Sequence, residues 1–321
     1  MAKPKVAFYW CASCGGCEET VVDLAEDILG VVEKLDIVLW PVAMDFKYKD
    51  VEAMPDGSIL ATLLNGAIRS SEQEYMARLL RRKSRFLIAY GACAHTGGIP
   101  GLANQFPREQ ILEFVYESAP TNVNEQKIRP QCRFEENGRT PHLPEFRELV
   151  RSLDQVVDVD YCVPGCPPTP KITKAAVGAL LDGRMPPKGS VLAPDIALCD
   201  QCPRKDSKPT NVAFVQFQRP VEKPLDMEKC FLAQGVVCMG PSTRSGCEAA
   251  CITGNMPCTG CFAGTSRVHD QGAKMLSSLC ANIEAKEEAG INKALTGIPD
   301  PVGTFYRYSL AKSTLRRKVN L

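Results

Sequence analysis

Two rhythms of apolar and polar positions run through the first 185 residues. Short, nearly continuous apolar runs at Val6–Trp10, Ile37–Val42, Ile59–Leu64, Arg85–Tyr90 and Val156–Asp160 have the length and the β-branched or aromatic content of buried strands. Between the first two, Val21, Leu24, Ala25, Ile28, Val31, Val32 and Leu35 recur at helical spacing and predict one amphipathic helix from about Glu18 to Lys34. Ser71 and Glu74 form a capping box that opens a helix to about Lys83, after the turn pair Asn65-Gly66. Further helices are expected near Arg108–Glu117 and over Lys171–Leu181, which stops at Gly183. Between them lies a Pro-, Asn- and Arg-rich excursion from Pro120 to about Pro144. Strands alternating with helices predict an α/β fold, a doubly wound parallel sheet covered on both faces. In such sheets the loops leaving the carboxyl ends of the strands form one rim, and ligands collect there.

Pro186-Pro187 and Pro194 mark a change of texture, and clean periodicity fades. The chain therefore divides into a first domain, 1–185, and a second, 186–321, that is loop-rich and mostly irregular. Ala273, Leu276, Leu279, Cys280 and Ile283 predict one amphipathic helix that packs back on the body. Ser313–Leu321, with Arg316, Arg317 and Lys318, reads as a solvated basic tail.

Charge changes little in this picture. Lysine plus arginine number 38 against 37 acidic residues, which argues against nucleic acid or an anionic membrane as partner. The start carries no apolar stretch of the kind a signal peptide needs, and no apolar run approaches the roughly twenty residues of a membrane span. A soluble, cytoplasmic protein is expected.

Cysteine changes the picture most. The chain has 16, mostly in close pairs, and without a secretory context these point to metal or redox chemistry rather than disulfides. Cys11, Cys14 and Cys17 follow the first strand, Cys93 the fourth, and Cys162 and Cys166 the fifth, so cysteines far apart in sequence share one rim. Four of them suffice for an iron–sulfur cluster or for zinc, and the count alone does not decide between the two. Gly15, Gly16, Gly91, Gly97, Gly98 and Gly165 favour the bulkier cluster, because they let backbone approach it closely. The helix beginning behind Cys17 adds free N–H groups that suit an anionic centre.

Eight more cysteines follow: Cys199, Cys202, Cys230, Cys238, Cys247, Cys251, Cys258 and Cys261. The segment has too few apolar residues to hold itself together easily by burial, and metal sites supply the missing stability. The simplest division is sequential, Cys199, Cys202, Cys230 and Cys238, then Cys247, Cys251, Cys258 and Cys261, with interleaving as the alternative. A pair of structural zincs is the plainer reading. Cys11, Cys132, Cys162 and Cys280 are left over as ordinary thiols. His95 reads as a polar loop residue, Glu18 and Glu19 as first-turn acids facing the helix dipole, and Asn65 as a plain turn residue.

With these residues in hand, the chain resembles the small subunit of nickel–iron hydrogenases over nearly its whole length. The pieces that carry the resemblance are Cys14-Gly-Gly-Cys17-Glu18, Gly91-Ala-Cys93 followed by Gly97-Gly98, and Gly165-Cys166-Pro167-Pro168. It implies a flavodoxin-like first domain in which Cys14, Cys17, Cys93 and Cys166 hold a proximal 4Fe-4S cluster. It further implies a distal cluster on Cys199, Cys202, Cys230 and Cys238, where Cys199 stands in place of the family's frequent histidine. A medial cluster is implied on Cys247, Cys251, Cys258 and Cys261, with Cys251 filling the place of the proline that leaves many members with 3Fe-4S. Three 4Fe-4S clusters in all look like the cytosolic, cofactor-coupled group, above all the deazaflavin-nonreducing kind, and the lack of a twin-arginine pair or an apolar end agrees. Many small subunits carry an acidic residue where Asn65 stands. No residue here is expected to be catalytic. The implied task is electron transfer from hydrogen oxidised in a large subunit to an iron–sulfur or flavin acceptor subunit, such as a heterodisulfide reductase module.

Overall fold

The computed structural model describes residues 3–315, so the tail residues Arg316, Arg317 and Lys318 lie outside the described residues. The strands are β1 (Lys5–Trp10), β2 (Asp36–Leu39), β3 (Ile59–Asn65), β4 (Ile68–Ser70), β5 (Ser84–Tyr90), β6 (Phe146–Arg151), β7 (Tyr161–Val163) and β8 (Ser190–Val191). Six of them form a parallel sheet in the order β2-β1-β3-β5-β7-β8, while β4 and β6 pair antiparallel in a separate ribbon. The chain order reverses between β1 and β3, which makes the carboxyl ends of these two strands the natural crevice of the sheet.

Side chains alternate across the sheet as the period of two requires. Val6, Phe8, Ala61, Leu63, Ile88 and Tyr90 face one side, against Val21 of helix Gly16–Val22, Leu24 just past it, and Ile172, Ala176 and Leu180 of helix Pro170–Leu181. Ala7, Tyr9, Leu64, Leu87 and Ala89 face the other, against Met76, Ala77, Leu79 and Leu80 of helix Ser71–Lys83. Each fully buried aliphatic side chain contributes about 1.5–3 kcal/mol, so both faces are firmly covered.

Several elements differ from the expected ones for local reasons. The single helix over Glu18–Lys34 is two, Gly16–Val22 and Asp27–Lys34, separated where Ala25 takes a left-handed φ of 50°. Their anchors differ: Thr20 Oγ1 donates to Pro168 O at 3.1 Å and ties the first helix to the rim, whereas Ile28 and Val31 of the second lean on the core beside β2. Helix Ser71–Lys83 is capped one residue earlier than expected, because Ser70 and Gln73 form the reciprocal box and Glu74 instead binds Arg78 and Arg151. Val156–Asp160 is not a strand. Val156 and Val157 N–H both donate to Leu153 O, and the Asp160 carboxylate takes Arg81, Lys188 and the Leu87 amide, so the chain enters the sheet only at Tyr161.

Beyond β8 the chain is short helices and loops, yet it has a substantial core of its own. Leu198, Phe214, Phe217, Phe231, Val236, Met275, Leu279, Ile283 and Phe305 are buried together there. The expectation that this part lacks apolar residues for a core is therefore corrected. Helix Gln271–Cys280 supplies Met275 and Leu279.

Candidate metal centres

Parallel strands put their carboxyl ends on one edge, and three of those ends carry cysteine. Past β1, Gly15 with φ 87° turns the chain so that Cys14 stands outside and Cys17 lies in the first turn of the helix. Past β5, Cys93 sits in the single turn Ala92–Thr96, and past β7 the chain reaches Cys166. Backbone bonds from Gly91 N to Val163 O at 2.8 Å and from Ala92 N to Gly165 O at 2.6 Å fasten the last two loops together.

Cys14, Cys17, Cys93 and Cys166 converge. Cys17 lies within electrostatic reach of the other three, and Cys93 of Cys14 and Cys166. Burial first, then the neighbouring sulfurs, pushes the Cys93 thiol up to about 12 and raises those of Cys17 and Cys166. Cys17, Cys93 and Cys166, crowded and largely desolvated, resist ionisation on their own. A bound cation or cationic cluster reverses that balance, and its binding releases protons. Gly91 is required at its place: φ is 86°, and a Cβ there would run into Cys17 Sγ.

The remaining N-terminal cysteines stay outside this group. Cys11 is 5% exposed and packs on the opposite sheet face with Tyr9 and Leu64, where burial pushes its thiol well up. Cys162 lies within β7 opposite Ala89 and Val191 and packs on that same face. Cys132 and Cys280 are exposed.

The C-terminal cysteines also stand near one another. Cys199 is within electrostatic reach of Cys202, Cys230 and Cys238, and the four line one small cavity. Burial raises Cys199 to about 12 and Cys238 to about 11. A Cβ on Gly240 would stand 3.3 Å from Cys199 Sγ and 3.6 Å from Cys238 Sγ, so that wall is kept bare for whatever the sulfurs hold. Cys261 is within electrostatic reach of Cys247, Cys166 and Cys251, and Cys258 of Cys238 first and then Cys261. Gln271, buried, donates to Thr243 Oγ1 and Gly260 O at 3.0 Å and steadies this loop.

The three groups stand in series. The Cys166 amide donates to the Cys261 sulfur, and the Cys258 amide donates to Cys238 Sγ at 3.4 Å. The group of Cys247, Cys251, Cys258 and Cys261 thus touches both others through ligand-to-ligand N–H···S bonds. Among the described residues no three Cys, His, Asp or Glu side chains stand close enough to share one metal ion. The all-sulfur donor sets fit iron–sulfur clusters.

Sequence reasoning treated three polar residues too lightly. Asn65, read as a plain turn residue, donates through Nδ2 to Glu18 Oε1 at 2.5 Å and accepts from Ser13 Oγ at 3.1 Å. Glu18, 4% exposed beside Cys17, also accepts from Trp40 Nε1, and burial raises its carboxyl despite both bonds. Arg204 passed unnoticed, although a basic residue two places after Cys202 was the available signal.

Comparisons with known proteins agree with this architecture. The family described as NADH ubiquinone oxidoreductase, 20 Kd subunit, matches residues 14–180. The iron-sulfur subunit of the F420-non-reducing hydrogenase of Archaeoglobus profundus is 37% identical, over 98% of this chain and 98% of that one. The chain belongs to the nickel–iron hydrogenase small-subunit family. The corresponding subunit of the F420-non-reducing hydrogenase of Methanothermobacter thermautotrophicus is 35% identical, over 99% of this chain and 97% of that one. A chain of the [NiFeSe] hydrogenase from Desulfovibrio vulgaris Hildenborough shares the fold at a TM-score of 0.51 and 16% identity, covering 82% of this chain and 94% of its own. A hydrogenase small subunit is a component of an oxidoreductase complex, carries iron–sulfur clusters and pairs with a large subunit. No helix among the described residues is long and apolar enough to cross a membrane.

Proposed function

We propose that this chain is the electron-transfer small subunit of a cytoplasmic, F420-non-reducing hydrogenase, holding three 4Fe-4S clusters between the hydrogen-activating large subunit and a heterodisulfide reductase-like acceptor. Residues 1–185 form the flavodoxin-like domain with the proximal cluster on Cys14, Cys17, Cys93 and Cys166. Residues 186–321 carry the medial cluster on Cys247, Cys251, Cys258 and Cys261 and the distal cluster on Cys199, Cys202, Cys230 and Cys238. The observation that carries this reading is the series of three four-thiol groups joined by N–H···S bonds at Cys166–Cys261 and Cys258–Cys238. When bound, the clusters supply one-electron transfer. The chain's own residues bury the centres, donate backbone N–H to their sulfurs and keep the groups adjacent. The amides of Ile99 on Cys93 and Gly240 on Cys238, and the Thr243 hydroxyl on Cys258, are such donors.

The 20 Kd family matches only the N-terminal part, and the eight cysteines from Cys199 to Cys261 fall outside residues 14–180. Two further centres beyond the shared one favour a hydrogenase wire over a quinone-linked module.

Cysteine-by-cysteine replacement tests the assignment in the anaerobically purified complex. Cys17→Ser is expected to lose the proximal EPR signal and about four irons per chain, while Cys11→Ser keeps both. Equal loss in the two variants, or a purified complex that lacks a nickel-bearing large subunit, contradicts the reading.

A further inference from the structure

We propose that Arg204 acts as a fixed positive charge in the wall of the distal cavity and holds the reduction potential of that centre up, selectively among the three. This rests on the cluster assignment proposed above for Cys199, Cys202, Cys230 and Cys238. Arg204 is 4% exposed and lines the same small cavity as those four cysteines. Its amide donates to Cys202 Sγ at 3.4 Å, and its guanidinium carbon stands over the Phe231 ring, 4.2 Å from the centroid.

The partners of the guanidinium are what single it out. Nη1 donates to Asp226 O at 3.1 Å and Lys229 O at 3.2 Å, and Nη2 donates to Ile252 O at 3.2 Å and Asn255 Oδ1 at 2.8 Å. All four acceptors are neutral. They fix the group in place without cancelling its charge, whereas buried guanidinium groups ordinarily pair with a carboxylate. The Asp226 carboxylate accepts from the amides of Glu228 and Lys229; it lies within electrostatic reach of the guanidinium but forms no ion pair with it. Lys208 also lies in reach of Cys199, but it is exposed and its field is screened.

Reduction adds one negative charge to a centre that is already anionic. A desolvated cation beside it interacts more favourably with the reduced state, and the low local dielectric preserves the effect. Arg204 also ties together the Cys202 loop, the segment before Cys230 and the turn after Cys251. It is therefore a positioning residue as well as a charge, and the test must separate the two roles.

EPR-monitored redox titration of the intact complex does so, with the distal signal assigned by its loss in Cys230→Ala. Arg204→Met is expected to shift the distal reduced-to-oxidised ratio at fixed potential on the order of tenfold toward oxidised, which is 59 mV for one electron. The proximal and medial couples stay within about twofold of wild type. Arg204→Lys, which keeps the charge with fewer bonds, keeps the distal couple within about twofold as well. Asn255→Asp leaves the arginine and its scaffold in place but sets a carboxylate against Nη2, and it lowers the distal couple like the methionine variant. Should Arg204→Met fail to retain the distal centre, Asn255→Asp decides. An unmoved distal couple in Asn255→Asp, or a lowered one in Arg204→Lys, overturns the proposal. A wild-type complex without a distal iron–sulfur signal is a different outcome, and it refutes the cluster assignment itself.

Discussion

At the scale of single residues, the rim depends on a few side chains whose partners can be named. Glu18 is held between Trp40 Nε1 and Asn65 Nδ2, and the Asn65 carbonyl oxygen in turn takes Ser13. Removing the carboxylate strands two buried donors, each costing about 1–3 kcal/mol when unpaired. Glu18→Ala should therefore lower the thermal midpoint of the complex clearly, and Glu18→Gln, which restores an acceptor, should recover much of it. Gly91→Ala is expected to do more specific harm, because its Cβ takes the space of Cys17 Sγ at a left-handed φ. Iron analysis should find about four irons fewer per chain and two intact C-terminal centres.

His95 carries a pH dependence. It is buried, its Nδ1 has no hydrogen-bond partner, and burial beside Lys312 and Arg244 lowers it to about 3. The unfolded chain binds that proton near pH 6.5, so the folded state loses stability as the pH falls below that value. Between pH 7 and pH 5.5 the loss is on the order of 1 kcal/mol. The midpoint of His95→Gln should be flatter over this window, and equal slopes in the two proteins would remove His95 from the account.

At the scale of elements, the strands were legible because their apolar runs are strong and local. Val6–Trp10, Ile59–Leu64 and Arg85–Tyr90 fall on β1, β3 and β5 with shifts of a residue at most. What was not legible depends on partners distant in sequence. The first helix is tied to the rim where Thr20 reaches Pro168, while the chain turns at Ala25, and the Val156 run ends where Asp160 reaches Arg81 and Lys188. The short strands β4, β6 and β8 carry little periodicity to read. Arg244 is another long-range tie: Nε donates to Gly264 O at 3.2 Å, Nη1 to Ala193 O and Pro194 O at 3.3 Å, and Nη2 pairs with Asp195 at 2.8 Å. Arg244→Met should cost about 2–3 kcal/mol from those carbonyls alone, the half-exposed Asp195 adding little. Thermal unfolding followed by the visible absorbance of the clusters would show it as a lower midpoint.

At the scale of the whole molecule, the nearness of Cys14, Cys17, Cys93 and Cys166 was legible because they follow the carboxyl ends of parallel strands. The contacts between the groups, Cys166 to Cys261 and Cys258 to Cys238, join residues distant in sequence, and no spacing reveals them. Nor did the pattern betray the apolar core around Phe214, Phe217 and Phe231, whose residues are scattered among loops and lack a helical or strand period. The central claim is that one chain holds three cubane clusters. Iron and acid-labile sulfide per chain, measured on the anaerobically purified native complex and corrected for the large subunit's metal site, test it most directly. About twelve of each is expected. About four of each, or zinc without sulfide, would contradict it.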